Sequence, residues 1–339
     1  MSEVRTTVLF DMRAPGFGTP APKLFAAALE MAAFADQIGV TRVNLMEHHA
    51  SEDGYLPTPF VMGGGVAART KQCRISLGAV ILPLHDPVKI AEQIAVLDLM
   101  SGGRLDVIFG AGYVASEFAR FGVSLHDRGR LLDEGIDIIL RALRGERFEV
   151  GGREIFVRPL SIQKPEDIVL VGGGVEASAK RAARFGLGFA PLRQNLFPLY
   201  DAECRRYGRE PGRKYGPSGA GNIHLAEDPE RAWNQVMPHL KHVVGEYAKW
   251  AEGEPNSHSP FSGLLTNEDA LRRSGIFTVW TPEEIVAKAP SIVGSDGSLS
   301  FMPLLGGLAP EIGWESLELL KKVMPQLRGA ECDDVNSVG

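Results

Sequence analysis

The sequence predicts an α/β fold, a (β/α)8 TIM barrel with insertions, on three observations. Short apolar strands alternate with helices joined by short connections, the pattern of a parallel sheet with crossover helices. Eight such units can be read along the chain. The competing doubly wound sheet wants a Gly-rich dinucleotide fingerprint after its first strand, and Asp11-Met12-Arg13-Ala14-Pro15-Gly16-Phe17-Gly18 is not one. With 339 residues, 44% hydrophobic and 23% charged, the chain is long enough for one barrel domain, read here as residues 1–328.

Residues 6–11 read as the first strand and 23–39 as an Ala-rich helix closed by Gly39. Residues 42–46 form the second strand and 58–69 the second helix. The run at 75–82 is apolar enough to be buried on both faces. Pro87 sits in the first turn of the next helix, which stops at Ser101-Gly102-Gly103. A fourth strand at 104–109 and a fourth helix at 128–143 follow, then a β-hairpin at 148–156 turning on Gly151-Gly152. Strands at 168–171, 188–190 and 219–226 alternate with helices at 176–185, 196–207 and 229–250. Residues 253–300 keep no clean period and are rich in Ser, Gly, Pro and Asn, which reads as a lid or insertion. Residues 299–304 are the eighth strand, 311–324 the last helix, and 329–339 a disordered tail.

Composition narrows the function. A net charge of -6 with scattered arginines argues against nucleic acid as a partner. Cys73, Cys204 and Cys332 are far apart and odd in number, as in a reduced cytosolic protein. With no apolar signal core and no run long enough to span a bilayer, a cytoplasmic protein without membrane attachment is expected.

Barrel sites lie at the carboxyl ends of the strands. That rule points first to Asn44-Leu45-Met46-Glu47-His48-His49, where a strand ends in one carboxylate and two imidazoles. Imidazole can act as acid, base, donor or ligand, and on a strand only one of two adjacent histidines would face a site. No further ligands gather at recognisable spacing, so no metal is expected. Gly172-Gly173-Gly174-Val175 opens a helix, where backbone N–H groups suit a phosphate, and Ser178 could add a hydroxyl. Arg128 and Arg130 could pair with phosphate oxygens. Gly110-Ala111-Gly112-Tyr113 and Gly78-Ala79 remove side chains where a flat ring could approach, and Tyr113 could stack or donate.

Taken together, these residues make the chain resemble the bacterial luciferase-like flavin-dependent monooxygenase family. The resemblance rests on Leu45-Met46-Glu47-His48-His49 and on Leu77-Gly78-Ala79-Val80-Ile81-Leu82-Pro83-Leu84-His85-Asp86-Pro87, followed by Ala91-Glu92-Gln93 and Leu97-Asp98. Ser101-Gly102-Gly103-Arg104-Leu105, Gly110-Ala111-Gly112-Tyr113, Glu117-Phe118, Arg130 to Glu134 and Leu304-Leu305-Gly306-Gly307-Leu308-Ala309-Pro310-Glu311 continue it in order.

The resemblance implies an enzyme that uses reduced FMN and molecular oxygen to oxidise a small organic substrate, with reduced flavin supplied by a separate reductase. By position it makes His48 the catalytic imidazole, with Glu47 and His49 as its supports. Arg130, Ser178 and the backbone of Gly173, Gly174 and Val175 match the flavin phosphate site. Ala79 matches the small residue beneath the flavin ring, where the family often has a non-prolyl cis peptide or a bulge. One departure is Ala111, where luciferase carries an arginine on the phosphate; Arg128 is the neighbour that would compensate. The resemblance also implies a homodimer through the second and third helices, whose Gly63-Gly64-Gly65 stretch would permit close approach. An F420-dependent oxidoreductase of the same fold and a non-enzymatic flavin-binding protein are the alternatives.

Overall fold

The computed structural model describes residues 4–217, 220–251, 267–293 and 298–329. Its strands are β1 (Arg5–Phe10), β2 (Arg42–Leu45), β3 (Arg74–Ile81), β4 (Leu105–Gly110), β5 (Phe148–Val150), β6 (Arg153–Ile155), β7 (Val169–Gly173), β8 (Gly188–Pro191), β9 (Asn222–Leu225), β10 (Phe277–Trp280) and β11 (Ser298–Phe301). Between them lie α1 (Ala21–Gln37), α2 (Pro59–Arg69), α3 (Pro87–Ser101), α4 (Ala115–Arg120), α5 (Arg128–Leu143) and α6 (Pro165–Ile168). The series continues with α7 (Glu176–Phe185), α8 (Phe197–Arg206), α9 (Pro229–Ala251), α10 (Glu268–Arg273), α11 (Pro282–Val293) and α12 (Pro310–Gly329). Among these described residues, no helix is long and apolar enough to cross a membrane.

The chain divides into two units, one of residues 1–44, 50–56 and 216–339, the other of 45–49 and 57–215. In the first, the strand order is β10-β9-β11-β1-β2. β11 runs parallel to both β1 and β9, and β9 runs parallel to β10. In the second, β3-β4-β7-β8 are parallel throughout. Parallel strands covered by helices bury both faces, and Val107, Phe109 and Val171 are accordingly inaccessible to solvent. Helix ends follow local chemistry. Asp86 caps α3 by accepting from Val88 N and Lys89 N, and Gly102 ends it in the left-handed region.

Within the segment read as a lid or insertion, residues 267–293 hold α10, β10 and α11. β10 has only four residues, with Phe277 and Val279 turned inward. α11 opens with a reciprocal capping box: Glu284 N donates to Thr281 Oγ1 at 3.2 Å and Thr281 N to Glu284 Oε2 at 3.0 Å. The Thr-Pro-Glu-Glu signature stands in the sequence; the strand before it is too short to show a period. The rest of the predicted lid, 253–266 and 294–297, and the predicted tail beyond 329 lie outside the described residues.

The first unit buries Arg13 completely. Its guanidinium pairs with Asp53 and lies 3.6 Å from Asp11, over the rings of Tyr55, Tyr247 and Trp250 at 4.6, 5.1 and 4.8 Å. Burial pushes the Asp11 carboxyl up to about 6, and the charge of Arg13 only partly opposes it. Since the folded value lies above the unfolded one of about 3.9, this group's contribution is intact below about pH 4 and is lost as pH rises to about 6. Asp11→Asn is therefore expected to raise stability at pH 7 by about 1–3 kcal/mol and to flatten that slope. Thermal midpoints between pH 4 and 7 measure it; an unchanged slope in the variant would show that Asp11 is not its source.

Candidate active site

All the candidate residues fall in the second unit. Most lie at or just beyond the carboxyl ends of strands, while Gly78-Ala79 lie inside β3 and Arg128 and Arg130 on α5. β2 ends at Leu45, so Glu47, His48 and His49 lie past the strand in irregular backbone and escape strict alternation. Both imidazoles are buried, and each is held by a different carboxylate. His48 Nδ1 lies 2.9 Å from Glu117 Oε1, which also accepts from His49 N at 2.7 Å. A carboxylate offers acceptors, so this partner assigns a proton to Nδ1. Tyr113 meets the His48 ring edge-on at 5.9 Å between centroids.

Nothing local in the sequence marks Glu117 for chemistry, although Glu117-Phe118 is part of the family pattern. It sits on α4, a six-residue helix that shows no period in the sequence. Phe118, its neighbour, packs with Ile81 and Leu84 and so fixes where the carboxylate stands.

Glu47 holds His49 and His85. Its Oε1 lies 2.6 Å from both His49 Nε2 and His85 Nε2, and Oε2 accepts from Ile81 N at 3.0 Å. Burial alone would raise this carboxyl; the hydrogen bonds from His49 and His85 outweigh burial and hold it below the usual range. The expectation that no ligands gather here needs correction, because folding brings His85 from the end of β3 into the cluster. The three donor atoms lie within 4.8 Å of one another, a set that could hold a metal ion. Ligands around a tetrahedral zinc stand about 3.3 Å apart. The 2.6 Å contacts are hydrogen-bond distances, so the cluster as folded is a hub on one carboxylate.

The third strand carries a non-prolyl cis peptide at Gly78-Ala79 and a register shift between Gly78 and Val80, at the position the resemblance indicates. A Cβ on Gly110 would meet Ala79 Cβ at 3.1 Å, so both strands are kept bare at this point. Gly112 has another reason to be glycine. Its φ is +74°, and a Cβ would lie 2.7 Å from Ile81 and Phe118.

The glycine turn after β7 leads into α7 as predicted. Gly173 has φ +146°, and a Cβ there would come within 2.8 Å of Ser178, so the cradle between them exists only because the residue is glycine. Ser178 Oγ donates to Val175 O at 2.5 Å. α5 lies beside α7, since Arg181 Nη2 reaches Gly129 O at 3.4 Å. Arg130 is exposed and paired with Glu134 at 2.9 Å, while Arg128 Nη1 donates to Leu125 O at 2.9 Å. These residues fit a flavin phosphate: a bare cradle and a helix N-terminus.

The sequence profile of the luciferase-like monooxygenases matches residues 6–297. Limonene 1,2-monooxygenase of Rhodococcus erythropolis is 24% identical over 321 residues, 89% of this chain and 81% of its own. Two uncharacterised relatives from Sinorhizobium fredii, y4vJ and y4wF, are 28% and 29% identical, and the match spans about half of their length, 53% and 52%. Among solved structures, the monooxygenase RslO1 of Streptomyces bottropensis superposes with a TM-score of 0.79 at 26% identity, over 94% of this chain and 98% of its own. An F420-dependent secondary alcohol dehydrogenase shares the fold with a TM-score of 0.70 at 18% identity, over 96% and 100%. The chain therefore belongs to the luciferase-like monooxygenase family, whose (β/α)8 fold is the one the sequence predicts.

Proposed function

We propose that this protein is a flavin-dependent monooxygenase that takes reduced FMN from a separate reductase and uses oxygen to oxidise a small organic substrate. The observation that supports it is a single edge of parallel strands bearing both the His48–Glu117 pair and the Gly173–Ser178 cradle. Reduced flavin supplies the oxygen-activating chemistry when bound. The chain's own residues do the rest. The turn at Gly173 and α7 hold the phosphate, the bare Gly78-Ala79 strand admits the ring, and His48 offers Nε2 to accept or return a proton. Glu117 keeps that imidazole in one tautomer, while Glu47 ties His49 and His85 to the strand end beside it.

Oxygen uptake with chemically reduced FMN tests this reading. Uptake tied to substrate oxidation supports it. The second reading is an F420-dependent oxidoreductase, favoured by the shared fold of the alcohol dehydrogenase. Hydride transfer to F420 without oxygen uptake would establish it, and turnover with neither cofactor would leave a binding protein.

We also propose a homodimer through α2 and α3. These helices expose Val61, Val96, Leu99 and Met100, with Val61 at 73%, and they border a groove with Phe60 and Leu97. Gly63 is spent inside the subunit, where a Cβ would press on Leu97 at 3.0 Å. Val61→Glu is expected to convert a dimer to monomer in light scattering; a wild-type monomer would refute the interface.

A further inference from the structure

The Gly173–Val175 turn is held by three donors on consecutive carbonyls. Leu192 N donates to Gly173 O at 3.1 Å, the Arg193 guanidinium donates through Nη2 to Gly174 O, and Ser178 Oγ donates to Val175 O at 2.5 Å. Tying carbonyls back in this way fixes the peptide planes of the turn. The N–H groups of Glu176 and Ala177, the first two of α7, have no acceptor within the helix.

Arg193 is unlike the other two donors. It is exposed, it comes from the loop after β8, and a single N–H suffices for its bond to Gly174 O. A guanidinium carries five donors in a planar fork, and among the described residues this one makes no other hydrogen bond or ion pair. Of the two cations expected at the phosphate, Arg130 is engaged with Glu134 and Asp127, and Arg128 donates to Leu125 O at 2.9 Å. Ala111 offers no cation at all.

We infer that Arg193 is the phosphate-binding cation of this chain, one N–H holding the turn and the rest of the fork taking the phosphate monoester of the flavin. The inference rests on the flavin reading above, and it assigns to the loop after β8 the charge that Ala111 leaves missing. A bidentate guanidinium matches the planar spacing of phosphate oxygens, which an ammonium cannot do while also holding Gly174 O.

Anaerobic binding of reduced FMN and of reduced riboflavin to the full chain, measured by ultrafiltration, tests it without reference to turnover. Arg193→Gln keeps a donor for Gly174 O and removes the charge. It is expected to weaken FMN by about 10-fold or more and riboflavin by no more than about twofold. Arg193→Lys is expected to recover part of the FMN affinity, and more so at low salt. Equal weakening of FMN and riboflavin by Arg193→Gln would mean that Arg193 only shapes the turn, and unchanged FMN binding would remove it from the site. Both outcomes overturn the inference. A wild-type protein that binds neither flavin, or both alike, overturns the cofactor reading before any variant is compared.

Discussion

Replacing His48 by alanine is expected to lower turnover by about 10²- to 10⁴-fold, the range typical for loss of a positioned acid–base group. FMN affinity is expected to change by no more than a few-fold. The reason is local. His48 is anchored through Nδ1 to Glu117, and the phosphate cradle is built by β7 and α7, so removing the ring leaves the cradle intact. Single-turnover kinetics with pre-bound reduced FMN, alongside equilibrium binding, separates the two effects. Loss of binding at unchanged turnover of the bound fraction would make His48 a structural residue. Glu117→Ala should mimic His48→Ala in part, because the imidazole loses the partner that fixes its tautomer.

The second large effect is on stability, at the opposite ends of the same strands. Asp106, the second residue of β4, is wholly buried and accepts from Arg74 Nε at 2.7 Å, Arg213 Nη1 at 2.7 Å and Tyr215 Oη at 2.6 Å. Burial alone would raise its carboxyl; the hydrogen bonds and charges of Arg74 and Arg213 outweigh burial and hold it below the usual range. Asp106→Ala is expected to cost about 2–4 kcal/mol. This is less than for a fully enclosed pair, because Arg74 and Arg213 are about one-third exposed and can turn to water. A depressed folded value means that this stabilisation is present above about pH 4 and is lost as pH falls further. Denaturant midpoints should show the loss, while activity per folded molecule stays near wild type. A loss of activity without a loss of stability would place Asp106 in the chemistry instead.

These two results express the division of labour in a parallel α/β sheet, where carboxyl ends of strands carry chemistry and amino ends carry stability. Much of that was legible in the residues. The hairpin on Gly151-Gly152 and helices α5 and α7 follow directly from turn glycines and helical period. The short elements were not legible. α4 and β10 have six and four residues, too few for a period to rise above chance, and both are defined by packing. Glu117 was missed as His48's partner for that reason, since nothing local marks a carboxylate that acts 69 residues away.

By itself the sequence determined the strand–helix alternation, the strand-end position of Glu47-His48-His49, the glycine turn before α7 and the family. These are local properties, fixed by side-chain period and by which residues can take a turn. Only the tertiary structure decided which carboxylate holds which imidazole, that His85 shares Glu47 with His49, and that Arg193 rather than Arg130 touches the turn at Gly174. Those pairings join residues distant in sequence. A buried polar group takes whatever partner the packed strands bring within hydrogen-bond reach, and no spacing along the chain encodes that.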